Sequence, residues 1–333
     1  MRISVVCPFY NEEAIIVAAT KRMIGNLENQ LDDWELILVN DGSRDRSLDV
    51  LLASLDTQQQ KRVQLISCTV NQGRGRALKN GIDAATGEII VTTEADCSWG
   101  DDIVKRLVEE LQQNPDAHFV IASPHMKGGG LANVPLKRVL LTKLGNYFIN
   151  MFFKSGVSMN TGMTRAYRAE VIKPLVVWEN GKEFHLEVLL KLRTLNFRVR
   201  EIPAVITWQD HKFMSPDAGK RKSSTKIMKT IATHLRFIAV AQPMAYFGVA
   251  AAISALLGTL FLGWAFRNLL IGGPAVYSAL IGLIMFLFAL LFTGFSVLFI
   301  ELRENIRDQW MSYYEKKNNH FPPSKLSATE VVR

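Results

Sequence analysis

Ile89-Ile90-Val91-Thr92-Thr93-Glu94-Ala95-Asp96 is a short β-branched apolar run that ends in two carboxylates. A continuous apolar run of this length is typical of a buried strand in a parallel sheet. Because such sheets bind ligands outside the carboxyl ends of their strands, we expect both carboxylates at a ligand site. Mg²⁺ or Mn²⁺ binds one or two protein carboxylates and completes its shell with phosphate oxygens and water. The alternative is an acidic turn whose side chains are only solvated.

Short strands and helices alternate from the N-terminus up to this acidic stretch. Strands are predicted at residues 3–7, 34–39 and 63–68, each followed by a loop and a helical segment. This order is typical of an α/β domain with a doubly wound, mostly parallel sheet. Right-handed crossovers place the four strand-end loops at one edge of the sheet, here called the rim. The rim loops carry both signs of charge: Glu12, Asp41, Glu94, Asp96, Arg74 and Arg76.

Two C-terminal segments, residues 244–266 and 276–300, contain no Asp, Glu, Lys, Arg or His. At about 1.5 Å per residue they are roughly 34 and 37 Å long, enough to cross a hydrocarbon core of ~30 Å. Buried helices of a soluble protein are the alternative. Basic residues flank both segments, so the positive-inside rule places residues 1–243 and the basic tail 303–333 in the cytoplasm. We therefore expect an integral membrane protein, in the plasma (inner) membrane if it is bacterial.

Charge and cysteine content narrow the choice of partners. The formal net charge is +8, and its clustering beside the apolar segments favours anionic lipid over nucleic acid. The three cysteines are Cys7, Cys68 and Cys97, for which we expect reduced packing thiols and no zinc site. The N-terminus begins directly with a strand, so no signal peptide is predicted.

Four short motifs follow the predicted strands in order. They are Pro8-x-Tyr10-Asn11-Glu12, Asn40-Asp41-Gly42-Ser43, Asn71-x-Gly73-x-Gly75 and Glu94-x-Asp96. The glycine loop, residues 71–75, is neither a P-loop nor a complete dinucleotide fingerprint. A carboxylate at Asp41 is able to accept from the N–H of a nucleobase or to cap its own turn.

Taken in this order, the motifs resemble inverting nucleotide-sugar transferases with the GT-A fold. The most similar branch is the group of dolichol-phosphate mannose synthases and bactoprenol glucosyltransferases, and the resemblance covers residues 1 to about 240. It implies a metal site at Glu94 and Asp96, although the family usually has Asp-Ala-Asp and this chain has Glu94-Ala95-Asp96. The residues that it implies for nucleotide-sugar binding are Pro8, Tyr10, Asn11, Glu12, Asp41, Ser43, Gly75, Arg221 and Lys226.

The resemblance also implies an acceptor site. Residues 133–154 combine apolar positions at helical spacing with basic residues and no acidic ones, which predicts an amphipathic helix at a membrane surface. A core helix with lysines reaching to solvent is the alternative. Arg138 and Thr142 are four residues apart, on one helix face, and match the family's lipid-phosphate ligands. His125 is the third candidate for the acceptor phosphate.

The resemblance also implies that Arg165 and Glu187 lie near the sugar. The catalytic set is then Asp96, Glu94, Arg165 and Glu187. For Glu187 an ordinary amphipathic helix is an equal alternative. Residues 220–242 are predicted to form a basic loop and a juxtamembrane helix. In the family such a loop closes over the diphosphate, where Arg221 and Lys226 would compensate its charge. The alternative is a polybasic segment that contacts only lipid.

The sequence thus predicts a GT-A domain over residues 1–219, followed by interfacial helices and two transmembrane helices. The expected function is transfer of one hexose from a UDP- or GDP-sugar to polyprenyl phosphate, with inversion and with Mg²⁺ or Mn²⁺. Because the acceptor is already an anion, no strong general base is needed. The alternatives are a membrane polysaccharide synthase of the same fold and a non-catalytic nucleotide-sugar-binding protein. Small residues four apart in the spans would permit a homo-oligomer.

Overall fold

The computed structural model describes residues 1–56, 59–134, 156–207 and 244–317. The strands are β1 (Ile3–Phe9), β2 (Trp34–Asn40), β3 (Val63–Ser67), β4 (Ile89–Thr92), β5 (Phe119–Ser123), β6 (Gly130–Ala132), β7 (Arg165–Arg168), β8 (Val199–Pro203) and β9 (Val205–Thr207). The α-helices are α1 (Ile16–Gln30), α2 (Ser47–Ser54), α3 (Arg74–Ala84), α4 (Ile103–Gln113), α5 (Ala169–Ile172), α6 (Phe184–Thr194), α7 (Val249–Leu270) and α8 (Val276–Lys317). The predicted basic segment at 220–242 and most of the predicted interfacial helix at 133–154 lie outside these residues.

The main sheet has the strand order β3-β2-β1-β4-β7-β5-β8. Neighbouring strands are parallel except at β7, which is antiparallel to both β4 and β5. Strands β6 and β9 form a separate parallel pair. The expected GT-A-like, mostly parallel sheet is confirmed, and the carboxyl ends of β1 to β4 do lie at one edge.

Both faces of the sheet are buried, because alternate side chains of each strand enter different apolar clusters. In β1, Val5 and Cys7 contribute to the cluster beneath α1 and α4, while Val6 contributes to the cluster beneath α3 and α6. The α3 backbone approaches the sheet closely: a Cβ on Gly81 would lie 2.4 Å from Cγ1 of Val6. This sandwich of helices and sheet holds the rim loops in place.

Strand β1 extends to Phe9, two residues beyond its predicted end at Cys7. Pro8 was expected to terminate it because proline lacks the N–H that a central strand donates. The pairing of β1 with β4 covers only residues 3–6, however, so at Pro8 the strand has a single neighbour, β2. The proline therefore lies on the edge-like end of the strand, where it is tolerated.

Helices α7 and α8 form a hairpin, and both are long and apolar enough to cross a membrane by length and composition. They contact each other through small residues: a Cβ on Gly258 would lie 3.1 Å from the carbonyl oxygen of Gly282. Helix α8 does not end near residue 300, where the predicted span ends, but continues to Lys317. With 42 residues it is about 63 Å long, roughly twice the thickness of a hydrocarbon core.

Candidate functional site

The loops after β1 and β2 are joined through backbone and side-chain hydrogen bonds. The N–H of Asn11 donates to Oγ of Ser43 at 3.0 Å, and Oδ1 of Asn11 accepts from the N–H of Arg44 at 2.8 Å. The N–H of Glu12 donates to Oγ of Ser47 at 2.8 Å. Asn11 has φ +55°, a left-handed conformation that asparagine tolerates better than most residues. The first two predicted motifs thus form one unit.

Asp41 connects this unit to the glycine loop. Its carboxylate accepts from the N–H groups of Gln72 at 2.8 Å and Gly73 at 3.0 Å, and from Nδ2 of Asn71 at 3.0 Å. Burial raises the pKa of Asp41, and the donating N–H groups oppose that change. The side chain is 4% exposed, and a nucleobase would share oxygens that already hold the loop.

The glycine loop is closed from the other side by residues 178–181, here called the 178–181 segment. The carbonyl oxygen of Asn180 accepts from the N–H groups of Gly75 at 2.8 Å and Arg76 at 3.3 Å. A Cβ on Gly73 would lie 2.3 Å from this oxygen, and a Cβ on Gly75 would lie 2.6 Å from the oxygen of Glu179. Both glycines are therefore required by the close approach of another backbone.

The acidic loop, residues 94–99, holds its own carboxylates in place. Oε2 of Glu94 accepts from Nε1 of Trp99 at 2.8 Å and from Oγ of Ser98 at 3.3 Å. Oδ1 of Asp96 accepts from the N–H of Ser98 at 3.1 Å, and Asp96 is 8% exposed. Ser98 is thus the link between the two carboxylates.

The acidic loop fits a hard divalent cation only as a partial ligand set. Among the described residues there is no cluster of three or more His, Cys, Asp or Glu side chains able to hold a metal. Glu94 and Asp96 supply oxygen donors alone, which suits Mg²⁺ or Mn²⁺ and leaves the remaining positions to phosphate and water. Such a site would form together with its ligand.

Arg74 is a rim residue to which the sequence gave no role. Its Nε is enclosed and has no hydrogen-bond partner among the described residues. Burial lowers the pKa of Arg74, and the negative charges of Glu94 and Glu183 oppose that change. The signal in the sequence was its place between Gly73 and Gly75. The guanidinium is a candidate ligand for the anionic part of a substrate.

Arg165 lies opposite Thr92, the last residue of β4, but its side chain is buried. It is 0% exposed, and its guanidinium donates to three backbone carbonyl oxygens, those of Gly162 at 2.7 Å, His185 at 3.0 Å and Asn160 at 2.7 Å. Burial lowers the pKa of Arg165. These contacts tie β7 to the start of α6 and give Arg165 a structural role; its predicted place near the sugar stays a prediction.

Arg165→Met is accordingly expected to destabilise the fold by ~3 kcal/mol or more, because three buried hydrogen bonds from a charged group are lost. Urea unfolding of the purified full chain, with Arg193→Met on the exposed face of α6 as control, measures this. Unchanged stability together with a loss of nucleotide affinity would instead indicate that Arg165 contacts the substrate.

Glu187, in the first turn of α6, is also buried. It is 2% exposed, accepts from the N–H groups of Trp178 at 3.1 Å and Glu179 at 2.8 Å, and pairs with Nζ of Lys191 at 2.5 Å. Its carboxylate therefore holds the 178–181 segment, which in turn closes the glycine loop. The structure therefore supports an effect of Glu187 on the glycine loop that is transmitted through the 178–181 segment.

The remaining predicted residues are divided between the described and undescribed parts of the chain. Pro8 is buried in β1 and Tyr10 is half-buried directly after it. His125 lies in the turn between β5 and β6, where its N–H donates to Oγ of Ser123 at 3.2 Å. Outside the described residues lie Arg138, Thr142, Arg221 and Lys226.

A mostly parallel sheet that joins these loops at one edge defines a GT-A-like domain. Residues 4–176 match the model of the family described as "Glycosyl transferase family 2". The chain belongs to that family, which confirms the class predicted from the motifs.

Curated relatives agree with this membership. The chain is 28% identical over 178 residues to the undecaprenyl-phosphate 4-deoxy-4-formamido-L-arabinose transferase of Pectobacterium atrosepticum, covering 52% of this chain and 51% of the relative. The protein of the same name from Photorhabdus laumondii is 26% identical over 179 residues, with 53% and 51% covered. The chain thus spans about half the length of the curated relatives it matches.

Solved structures match the fold at lower identity. Glucosyl-3-phosphoglycerate synthase from Mycobacterium tuberculosis, in complex with phosphoglyceric acid, superimposes with a TM-score of 0.52 at 20% identity, covering 72% of this chain and 80% of that one. The complex of that protein with Mn²⁺, uridine diphosphate and phosphoglyceric acid gives a TM-score of 0.50 at 18% identity, with 71% and 78% covered. At these identities the likeness shows the fold alone.

Proposed function

We propose that the protein transfers one sugar from a nucleotide sugar to polyprenyl phosphate at a membrane surface. The observation that carries the proposal is the place of the four rim loops at one edge of the sheet, in a domain that is followed by two helices long enough to span a bilayer. The curated relatives support the acceptor, since their names specify undecaprenyl phosphate. The sequence predicts a hexose, whereas the sugar named for the relatives is an arabinose derivative, so both classes belong in a test.

On the donor side, the loops after β1 and β2 and the glycine loop would bind the nucleotide. Asp41 holds the glycine loop through three donors, which fixes the surface that a UDP or GDP group would contact. Asp96 and Glu94 would hold Mg²⁺ or Mn²⁺, and a bound cation would offset the charge of the departing diphosphate. Arg74 would add a positive charge near Glu94, partly pre-organised because its Nε is enclosed before the substrate arrives.

On the acceptor side, little chemistry is needed beyond placement. The phosphate of the lipid is already a nucleophilic anion, so a site that holds it behind the anomeric carbon supplies most of the catalytic effect. Direct displacement from that side inverts the anomeric centre. Arg138, Thr142 and His125 are the proposed ligands of this phosphate.

The place of the reaction follows from the chemistry of the lipid acceptor. A polyprenyl tail leaves the bilayer only at a cost of about 0.8 kcal/mol per exposed CH₂, so the transfer has to take place at the membrane surface. Helices α7 and α8 would span the membrane, with residues 1–243 on the cytoplasmic side as the positive-inside rule indicates. In a bacterium this would be the inner membrane.

A screen of nucleotide sugars against membranes that contain the protein tests the proposal. Release of nucleoside diphosphate from one of the UDP- or GDP-sugars, dependent on added undecaprenyl phosphate, is the expected result. Donor binding without any release, over both pentose and hexose donors, would instead indicate a nucleotide-sugar sensor. Release that ignores the lipid phosphate would exclude it as acceptor.

Arg138→Ala is expected to raise the apparent KM for polyprenyl phosphate roughly ten- to a hundredfold, because a hydrogen bond to a charged group is lost at a cost of about 1.5–3 kcal/mol. Donor KM should stay unchanged. Lys137→Ala, which removes the neighbouring charge, is the matched control for a loss of general attraction to the membrane. A parallel loss of donor affinity in Arg138→Ala would show that this residue does not act on the acceptor.

A further inference from the structure

The C-terminal part of α8 returns to the α/β domain. Trp310 and Met311 are partly buried and pack against the apolar cluster that lies beneath α3 and α6. They lie ten or more residues beyond the end of the uncharged stretch at residue 300. The same continuous helix therefore includes a candidate membrane span and a contact with the domain that carries the rim.

At this contact Trp310 meets a buried ammonium group. Nζ of Lys191 lies 4.9 Å from the ring centroid of Trp310 and 3.8 Å from that of Trp178. It also pairs with Glu187 and donates to the carbonyl oxygen of Val176 at 2.7 Å. The side chain of Lys191 is only 7% exposed. Two aromatic faces thus replace much of the water that an ammonium would otherwise bind.

From Lys191 a continuous series of contacts leads to the glycine loop. Glu187 links the ammonium to the N–H groups of Trp178 and Glu179. The next residue, Asn180, accepts from the N–H groups of Gly75 and Arg76 with its carbonyl oxygen. Four consecutive polar or aromatic contacts therefore separate the end of α8 from the glycine loop, which contains Arg74 and is held by Asp41.

We propose that Trp310 is a positioning residue, which docks the end of α8 onto Lys191 and so holds the 178–181 segment against the glycine loop. Loss of the ring would open Lys191 to water, weaken its pairing with Glu187 and loosen the segment. The long membrane helix would in this way stabilise the donor side of the rim. The inference rests on the proposed function only in taking the glycine loop as part of the donor site.

Hydrogen exchange of the full chain in lipid nanodiscs, without substrate, tests the contact itself. Trp310→Ala should speed amide exchange in residues 176–181 about 3- to 30-fold, the range for loss of a partly to fully desolvated cation–π contact. Trp310→Phe should restore most of the protection because it keeps an aromatic face. The matched control is Trp264→Ala, since Trp264 lies on α7 and is 57% exposed. Amide exchange in α4 is the internal reference.

Unchanged exchange in residues 176–181 of Trp310→Ala, or an equal change in Trp264→Ala, would overturn the proposal. A second measurement separates positioning from general packing: Mn²⁺-dependent binding of UDP or GDP, whichever the wild type binds, should weaken several-fold in Trp310→Ala and recover in Trp310→Phe. Equal weakening of nucleotide binding in Trp310→Ala and Trp310→Phe would contradict the proposal. Since neither measurement requires turnover, their failure is distinguishable from failure of the proposed transferase activity.

Discussion

Asp96→Asn is expected to lower turnover by about 10²–10³-fold, the range found when one group that stabilises developing charge is removed. Asparagine is isosteric and retains an oxygen that accepts from the N–H of Ser98, so the acidic loop should keep its conformation. What is lost is one negative charge where the divalent cation and the diphosphate would meet. The effect should therefore appear in turnover and in Mn²⁺ affinity rather than in the free energy of unfolding.

The matched control is Asp101→Asn, five residues further along the same stretch. Asp101 pairs with Arg22 at 2.6 Å on the surface, and its side chain is 49% exposed. Exposed pairs of this kind contribute about 0–1 kcal/mol, so this variant should retain wild-type turnover. Near-normal activity of Asp96→Asn at fixed Mn²⁺ would contradict the assignment of Asp96 as a metal ligand.

Gly73→Ala is the second change with a large expected effect. Gly73 has φ +104° and ψ 150°, a region that is essentially restricted to glycine and costs other residues about 1–3 kcal/mol. The added Cβ would also lie 2.3 Å from the carbonyl oxygen of Asn180, so the 178–181 segment has to move. Nucleotide affinity should fall about a hundredfold, which corresponds to ~3 kcal/mol.

Gly25→Ala provides the control for this substitution. Gly25 lies inside α1 and a Cβ there would have nothing within 4 Å, so alanine should stabilise the helix by up to ~1 kcal/mol. Nucleotide binding measured by calorimetry should be unchanged in Gly25→Ala. Wild-type affinity in Gly73→Ala would show that the glycine loop is not part of the nucleotide site.

The rim was predictable because its signals are local. The apolar run before Glu94 and the turn residues of Asn40-Asp41-Gly42-Ser43 each depend on a few neighbouring positions, and the order of strands then places them together. The hydrogen bonds between Asp41 and the glycine loop follow from that arrangement. The two apolar helices were predictable for the same reason, since the length of a segment and its lack of charged residues are read directly from the sequence.

The positions of Arg165, Glu187 and Trp310 were not predictable in this way. A motif fixes which strand or helix carries a residue but not whether the side chain is directed to the rim, and Arg165 is directed to backbone groups as far along the chain as His185. The sequence suggested that the last span ends at the first charges after residue 300. Helix α8 continues to Lys317 and brings Trp310 to Lys191, 119 residues earlier, a contact that no local pattern contains.

Mass analysis of the lipid product is the measurement that tests the central claim most directly. Membranes that contain the protein would be supplied with undecaprenyl phosphate and the nucleotide sugar selected by the screen, with Asp96→Asn as the inactive reference. The account predicts a single new lipid whose mass exceeds that of undecaprenyl phosphate by one sugar residue, formed in equal amount to the released nucleoside diphosphate. A ladder of products with several sugars, or diphosphate release without any glycosylated lipid phosphate, would contradict it.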